Sequence, residues 1–150
     1  MTFSIRKASK NDIPAILSLV HELAVYEKAP HEVINTVDQM TEDGFGKNPL
    51  FYCYVAEAES QIIGFALYYY RYSTWKGKVI YLEDLYVQEN MRQLGVGKAL
   101  FSKIIEVAQE ENCQRVSWQV LEWNTPAIKF YEKFKAGFDP EWWNGYVELR

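Results

Sequence analysis

The 150 residues predict a single mixed α/β layer domain, with antiparallel hairpins leading into one right-handed β-α-β unit. Three observations carry that expectation. Runs of β-branched and aromatic residues alternate with stretches of helical periodicity, in the order β-α-α-β-β-β-α-β-α-β. The run from Val79 to Val87 is apolar on both faces, as a central strand covered on both sides must be. Two glycines, Gly95 and Gly97, stand where that strand gives way to a helix.

Each element has its own local reason. Thr2 to Lys7 alternates Phe3 and Ile5 with polar neighbours and reads as a short first strand. Ser9 or Asn11 then caps a helix whose buried stripe is Ile13, Ile16, Leu17, Val20, Leu23 and Ala24. Pro14 is tolerated only in its first turn, and the helix ends before Pro30. Glu32 to Lys47 gives a shorter helix that stops near Gly44, and Glu42 to Gly46 reads as a loop whose glycines permit unusual backbone angles. Leu50 to Ala58 is a strand, Glu59-Ser60-Gln61 a turn, and Ile62 to Tyr72 the antiparallel return. Ser73 to Gly77 turns again into the central strand. The helix after the glycines shows a stripe of Val96, Leu100, Ile104 and Val107 and ends near Asn112. Arg115 to Leu121 alternates Val116, Trp118 and Val120 as a further strand. Thr125 and Pro126 start the final helix, and Gly145 to Leu149 reads as a last strand.

Composition excludes some functions. The net charge is −4, so no basic footprint for nucleic acid is present, and a cationic partner fits better. Two cysteines, Cys53 and Cys113, read as reduced and buried, and neither has a histidine close by in sequence. The two histidines show no metal-ligand spacing, so no metal is expected. The first residues do not read as a targeting segment, and no apolar run approaches the ~20 residues a membrane span needs. A cytoplasmic protein without a membrane or nucleic-acid partner is expected. With 11 tyrosines and 5 tryptophans, either a ring-lined pocket or a ring-rich core follows.

The seam between strand and helix is the chemical signal. The first N–H groups of a helix have no internal acceptors, and the helix dipole presents its positive end there. Glycines let an anion approach the main chain, and Arg92 adds charge at the rim. A phosphate or pyrophosphate ligand follows. A P-loop would need Gly at the position of Arg92 and Ser or Thr at Ala99, and a dinucleotide fingerprint would need a third Gly at Leu100. Arg92-Gln93-Leu94-Gly95-Val96-Gly97 instead resembles the acetyl-CoA motif of the GNAT N-acetyltransferases. The same residues also suit a plain tight turn opening a helix, and on their own they leave both readings open.

The resemblance extends over the whole chain. Glu42 to Gly46, Tyr72 to Gly77, Tyr81 to Val87, and Glu122-Trp123-Asn124 on to Phe130-Tyr131 are similar to the diamine acetyltransferase branch, the spermidine/spermine acetyltransferase relatives. The Tyr72 to Gly77 turn resembles the thialysine acetyltransferase members more than the polyamine enzymes, which usually carry an acid where Ser73 stands. That departure points away from long polyamines, and the acid those enzymes carry in a later loop falls only loosely on Glu141. The resemblance implies the GNAT fold: a central mixed, mostly antiparallel sheet flanked by about four helices. It also implies a homodimer, and an acetyl transfer from acetyl-CoA to a primary amine of a small molecule by direct attack in a ternary complex.

Roles follow for particular residues. A neutral amine is needed, and an alkyl ammonium titrates at roughly 10, so a carboxylate must take its proton. Glu83 is the candidate, since an acid in an apolar strand needs a partner or a task; pairing with a buried Arg or Lys, or capping backbone at a strand bulge, is the alternative. Asp84 should face the opposite side, because side chains alternate along a strand, could share the pocket of Glu83 only through a bulge, and reads as a structural acid. Tyr131 matches the family's acid for the leaving thiolate, although spacing alone favours a core aromatic on the last helix. The pantetheine arm would pair with the backbone of Leu85, Tyr86 and Val87, and Arg92, Gln93, Leu94, Gly95, Val96, Gly97 and Lys98 would hold the pyrophosphate. Asn124 and Lys133 would flank the arm and the nucleotide, with a helix cap and a solvated charge as their plainer readings. Tyr26, Glu27 and Trp75, with Glu83, match positions near the amine. A non-catalytic acyl-CoA-binding module and a protein or peptide amine acetyltransferase stand as alternative functions.

Overall fold

A computed structural model describes residues 2–150. The chain packs as two compact units, one up to Gln119 and a small one from Val120 to Arg150. The larger unit is a sheet in the order β1-β2-β3-β4-β5. Its strands are β1 (Ser4–Lys7), β2 (Tyr52–Ala58), β3 (Gln61–Ser73), β4 (Gly77–Val87) and β5 (Val116–Ser117). The first four pair antiparallel, and β4 pairs with β5 in parallel. Helices α1 (Ile13–Tyr26) and α2 (Val37–Phe45) cover one face of the sheet, and α3 (Val96–Glu110) covers the other.

Side-chain alternation divides the core between the faces. Phe65, Leu67, Cys53 and Val55 join Ile13, Ile16, Leu17 and Met40 beneath α1 and α2. Val96, Leu100, Ile104 and Val107 recur on the buried stripe of α3, and all are nearly inaccessible to solvent. Phe101, from the same helix, meets Trp118 edge to face at 5.4 Å.

Caps set the helix starts. Ser9 N–H donates to Asp12 Oδ2 at 2.7 Å and opens a short 3₁₀ turn ahead of α1; the residue at the N-cap of α1 itself is Asp12, so neither Ser9 nor Asn11 caps that helix. Asp12 is buried, and Arg6 clamps it with bonds of 2.8 and 3.0 Å while its Nε donates to Glu57 at 3.0 Å. That clamp holds the Asp12 carboxyl below its usual range, against the opposing effect of burial. Thr36 caps α2 by accepting from Gln39 N–H, so the second helix starts later than Glu32.

Three expectations are corrected. The stretch Glu42 to Gly46 is not a loop: α2 runs to Phe45, and Gly44 is there because a Cβ would meet the Phe51 ring, with ring carbons at 2.8 and 2.9 Å. The strand expected over Arg115 to Leu121 is only two residues long, Val116–Ser117. Gly145 to Leu149 forms no strand, and Tyr146, Val147 and Leu149 are all exposed. Periodicity marks where a strand is possible, but a strand exists only where a ladder partner is available.

The small unit holds α4 (Thr125–Glu132). Asn124 Oδ1 caps it by accepting from Ala127 N–H at 3.3 Å, and Pro126 occupies its first turn, as the sequence predicts. No helix among the described residues is long and apolar enough to cross a membrane.

Candidate active site

Strand β4 organises the site. Opposite β3, Tyr68 pairs with Leu82 and Leu67 pairs with Asp84, so Glu83 is an extra residue in β4: a β-bulge. Without it, Asp84 would point toward α3. With it, alternation is reset, and Asp84 joins Glu83 on the α1/α2 face. The expectation that Asp84 faces away from Glu83 is thereby corrected, since regular alternation fails at this one position.

Both carboxylates line a cleft of about 290 Å³. Leu17 and Val20 of α1, Met40 and Asp43 of α2, and Leu50, Phe51, Leu67 and Tyr69 complete most of the wall. Among the described residues no Lys, Arg or His lines it. A larger depression of about 490 Å³, bordered by the polar residues Glu22, Gln88, Glu89 and Asn90, lies at the far end of β4.

Glu83 is exposed, and Tyr69 donates its hydroxyl to Glu83 Oε1 at 3.1 Å. Sequence reasoning missed Tyr69 because the pairing runs across a hairpin whose register is invisible in the chain. Asp84 is partly buried and receives no side-chain hydrogen bond among the described residues; its carboxyl is pushed up to about 7 by burial and by the charges of Glu83 and Glu27. Glu27 closes the C-terminal end of α1, and burial raises its carboxyl too. Two adjacent acids in an otherwise apolar strand were the available signal for Asp84, because both can be hydrated only if the strand is irregular there.

The expected amine-side aromatics take different places. Trp75 is 83% exposed in the β3–β4 turn. Ser73 Oγ accepts from the N–H groups of Trp75 and Lys76 at 3.2 and 3.1 Å, so the residue that departs from the family acid builds the turn. Tyr26 ends α1, with the Arg92 guanidinium 5.3 Å from its ring centroid and equally far from that of Tyr86. Arg92 Nε also donates to the Val87 carbonyl at 2.9 Å, so part of its charge is spent bracing the end of β4.

The seam has the geometry an anion needs. Gly95 adopts φ +85°, a left-handed value that favours glycine, and a Cβ there would meet nothing within 4 Å. Gln93 is also left-handed, at φ +66°. The helical ladder opens with Ala99 N–H donating to Gly95 O at 3.0 Å, so the N–H groups of Val96, Gly97 and Lys98 precede it. Next to it, the ladder to β5 ends at Tyr81↔Ser117, and Leu85, Tyr86 and Val87 run on past it. An acyl-CoA fits these features: its diphosphate suits bare amides at a helix start, and its amide-rich arm suits a strand that has outrun its neighbour.

In the small unit, Tyr131 is buried on α4 and packs edge to face on Phe130 at 5.2 Å, while Lys133 closes the helix and is exposed.

Residues 15–138 match the acetyltransferase (GNAT) family. The chain belongs to the GNAT acetyltransferase family. GNAT acetyltransferases use acetyl-CoA, which agrees with the seam. Among its relatives is the thialysine N-epsilon-acetyltransferase of Mus musculus, 39% identical over 97% of this chain and 90% of its own length. The enzyme of the same name from Sus scrofa is 41% identical over 88% of this chain and 82% of its own. The spermidine/spermine N(1)-acetyltransferase-like protein 1 of Homo sapiens is 39% identical over 86% of this chain, but over only 20% of its own length. The fold is shared with an aminoglycoside acetyltransferase from a soil metagenome, with a TM-score of 0.80 and 21% identity over 99% of this chain and 97% of that one.

Proposed function

We propose that this GNAT enzyme moves the acetyl group of acetyl-CoA to a primary amine of a small molecule of the thialysine or diamine type, by direct attack in a ternary complex. The observation that carries the reading is a cleft lined by carboxylates and free of cations, on the same strand that leads into the open amides of α3. The 39–41% identity to thialysine acetyltransferases over most of both chains supports the substrate class.

In this reading the residues from Arg92 to Lys98 bind the diphosphate, and the backbone of Leu85 to Val87 aligns the arm. The ammonium enters an acid-lined, partly apolar cleft, where Glu83 neutralises it; Glu27, Tyr26 and Trp75 are assigned to the amine from the resemblance alone. A cleft carboxylate takes the proton, the amine attacks the thioester carbonyl, and a β4 N–H near Leu85 donates to the oxyanion. Tyr131 is assigned from the resemblance alone as the acid that protonates the leaving thiolate; a phenol titrating at roughly 10 carries its proton at neutral pH. Asn124 and Lys133 are assigned to the cofactor in the same way. A cytoplasmic homodimer completes the proposal, and the exposed rings of Trp142, Trp143 and Tyr146 are the surface that suits a second copy.

The test is a panel of amines (thialysine, short diamines, spermidine and a lysine peptide) with acetyl-CoA, following thiol release. Turnover of thialysine or a diamine with little on the peptide is expected. Coenzyme binding with no turnover on any amine would leave a binding module instead.

A further inference from the structure

We propose that Asp84 is the catalytic base of this transfer, accepting the proton from the attacking ammonium, while Glu83 binds and orients the cation. This rests on the acetyltransferase reading above and assigns to Asp84 a role that the family resemblance gives to Glu83.

The geometry separates the two acids. The bulge brings both into one cleft, but in different surroundings. Glu83 is exposed and already accepts the Tyr69 hydroxyl, so one of its oxygens is occupied and the rest of the group is hydrated. Asp84 is set deeper, beside Leu17 and Leu67, and among the described residues no side chain donates to it, which leaves its oxygens to solvent and to a ligand. A carboxylate serving structure alone would have a hydrogen-bond partner. The groups around it are the acids Glu83 on β4, Glu27 at the end of α1 and Asp43 on α2, with the Tyr69 hydroxyl on β3 and the Cys53 thiol on β2. None of these is a cation, so none of the described residues in the wall competes with an incoming ammonium.

The chemistry follows from that setting. Burial and like charge make Asp84 a stronger base than an ordinary carboxylate, titrating at about 7, within reach of both protonation states at neutral pH. An ammonium entering the cleft favours the ionised form, so Asp84 is driven to release its proton as the cation binds. The carboxylate then takes one proton from the bound nitrogen. The freed lone pair attacks the thioester carbonyl carbon, the C–N bond forms and the C–S bond breaks. The thiolate leaves with one proton, supplied by an acid that the nitrogen's second proton replenishes. Asp84 returns its own proton to solvent, so each turnover yields amide, thiol and one proton.

The experiment compares the full-length wild type with Asp84→Asn and Glu83→Gln, using acetyl-CoA with thialysine. Wild-type kcat/KM is expected to rise through a limb near pH 7. Asp84→Asn is expected to lose kcat by about 100-fold or more, with coenzyme affinity within about twofold, and to lose that limb. Glu83→Gln is expected to raise KM and keep the limb, moved down by about half a unit because one neighbouring charge is gone. A second readout needs no turnover. Calorimetry of thialysine binding to the CoA complex, in two buffers of different ionisation enthalpy, should show roughly half a proton released near pH 7 by wild type and none by Asp84→Asn. The assignment is overturned if Asp84→Asn keeps the limb and most of its kcat, if Glu83→Gln abolishes the limb, or if both proteins release the same protons. Wild type with no turnover on any amine would bring down the acetyltransferase reading, and this one with it.

Discussion

Replacing Asp84 by asparagine should make the protein more stable, and by an amount that depends on pH. The folded carboxyl titrates at about 7, against ~4 for an unperturbed aspartate. The gap of roughly three units corresponds to about 4 kcal/mol between the two protonation states. The sign follows from which state holds the proton more tightly. The folded group does, so its contribution is fully present below pH ~4, declines as pH rises, and is lost above pH 7. Asparagine has the same shape and no proton to lose. The difference in unfolding free energy, Asp84→Asn minus wild type, should therefore climb between pH 4 and 7 and then level off. Water at the open side of the cleft screens part of the penalty, which brings the expected climb to on the order of 2 kcal/mol. Glu27, Asp43 and Glu83 are common to both proteins, so most of their own titration cancels. Urea unfolding at pH 5, 6, 7 and 8 measures it. A difference that stays flat across that range would refute the claim that Asp84 is an ionisable group held against its charge.

Other consequences are open to simple tests. Arg6→Ala removes both bonds that clamp the buried Asp12, as well as the one to Glu57, and should cost about 3 kcal/mol in chemical denaturation at pH 7. Because the clamp lowers the Asp12 carboxyl, that loss should shrink as acid protonates Asp12. Gly95→Ala forces a side chain into a left-handed backbone and should cost about 1–2 kcal/mol in a thermal melt, with weaker coenzyme binding by titration. The β2–β3 turn holds Glu59 and Ser60 at φ +50° and +63° without a glycine, so changing the pair to Asn-Gly should gain up to about 1 kcal/mol. Tyr131→Phe should keep coenzyme affinity while turnover falls by about 100-fold, and unchanged turnover would remove that residue from the chemistry.

What could be seen in the chain, and what could not, divides along a physical line. The order of elements up to α3 was legible because burial imposes a period: Val96, Leu100, Ile104 and Val107 recur as a helix requires, and Phe65 and Leu67 as a strand requires. The turn from β4 into α3 was legible because Gly95 is needed for its dihedral angle, and only one residue type supplies that angle freely. The last strand was not, because Tyr146, Val147 and Leu149 have strand-like character and no ladder to join. The place of Asp84 was not, because the bulge depends on how β3 and β4 pair across a hairpin, and pairing register leaves no trace in either strand by itself. Gly44 was read as loop flexibility, whereas its contribution is the room it leaves for the Phe51 ring.

The extra residue in β4 also bears on how chains of this kind should be compared. Insertion, not substitution, decides where the aspartate of a Glu-Asp pair is aimed, since one residue more or less reverses the side on which everything downstream emerges. Two proteins with identical letters at this column, but different strand phase, would present that acid to opposite layers of the sheet. Matching acids by alignment is therefore not enough to transfer a catalytic role; the count of residues between fixed cross-strand partners must match as well.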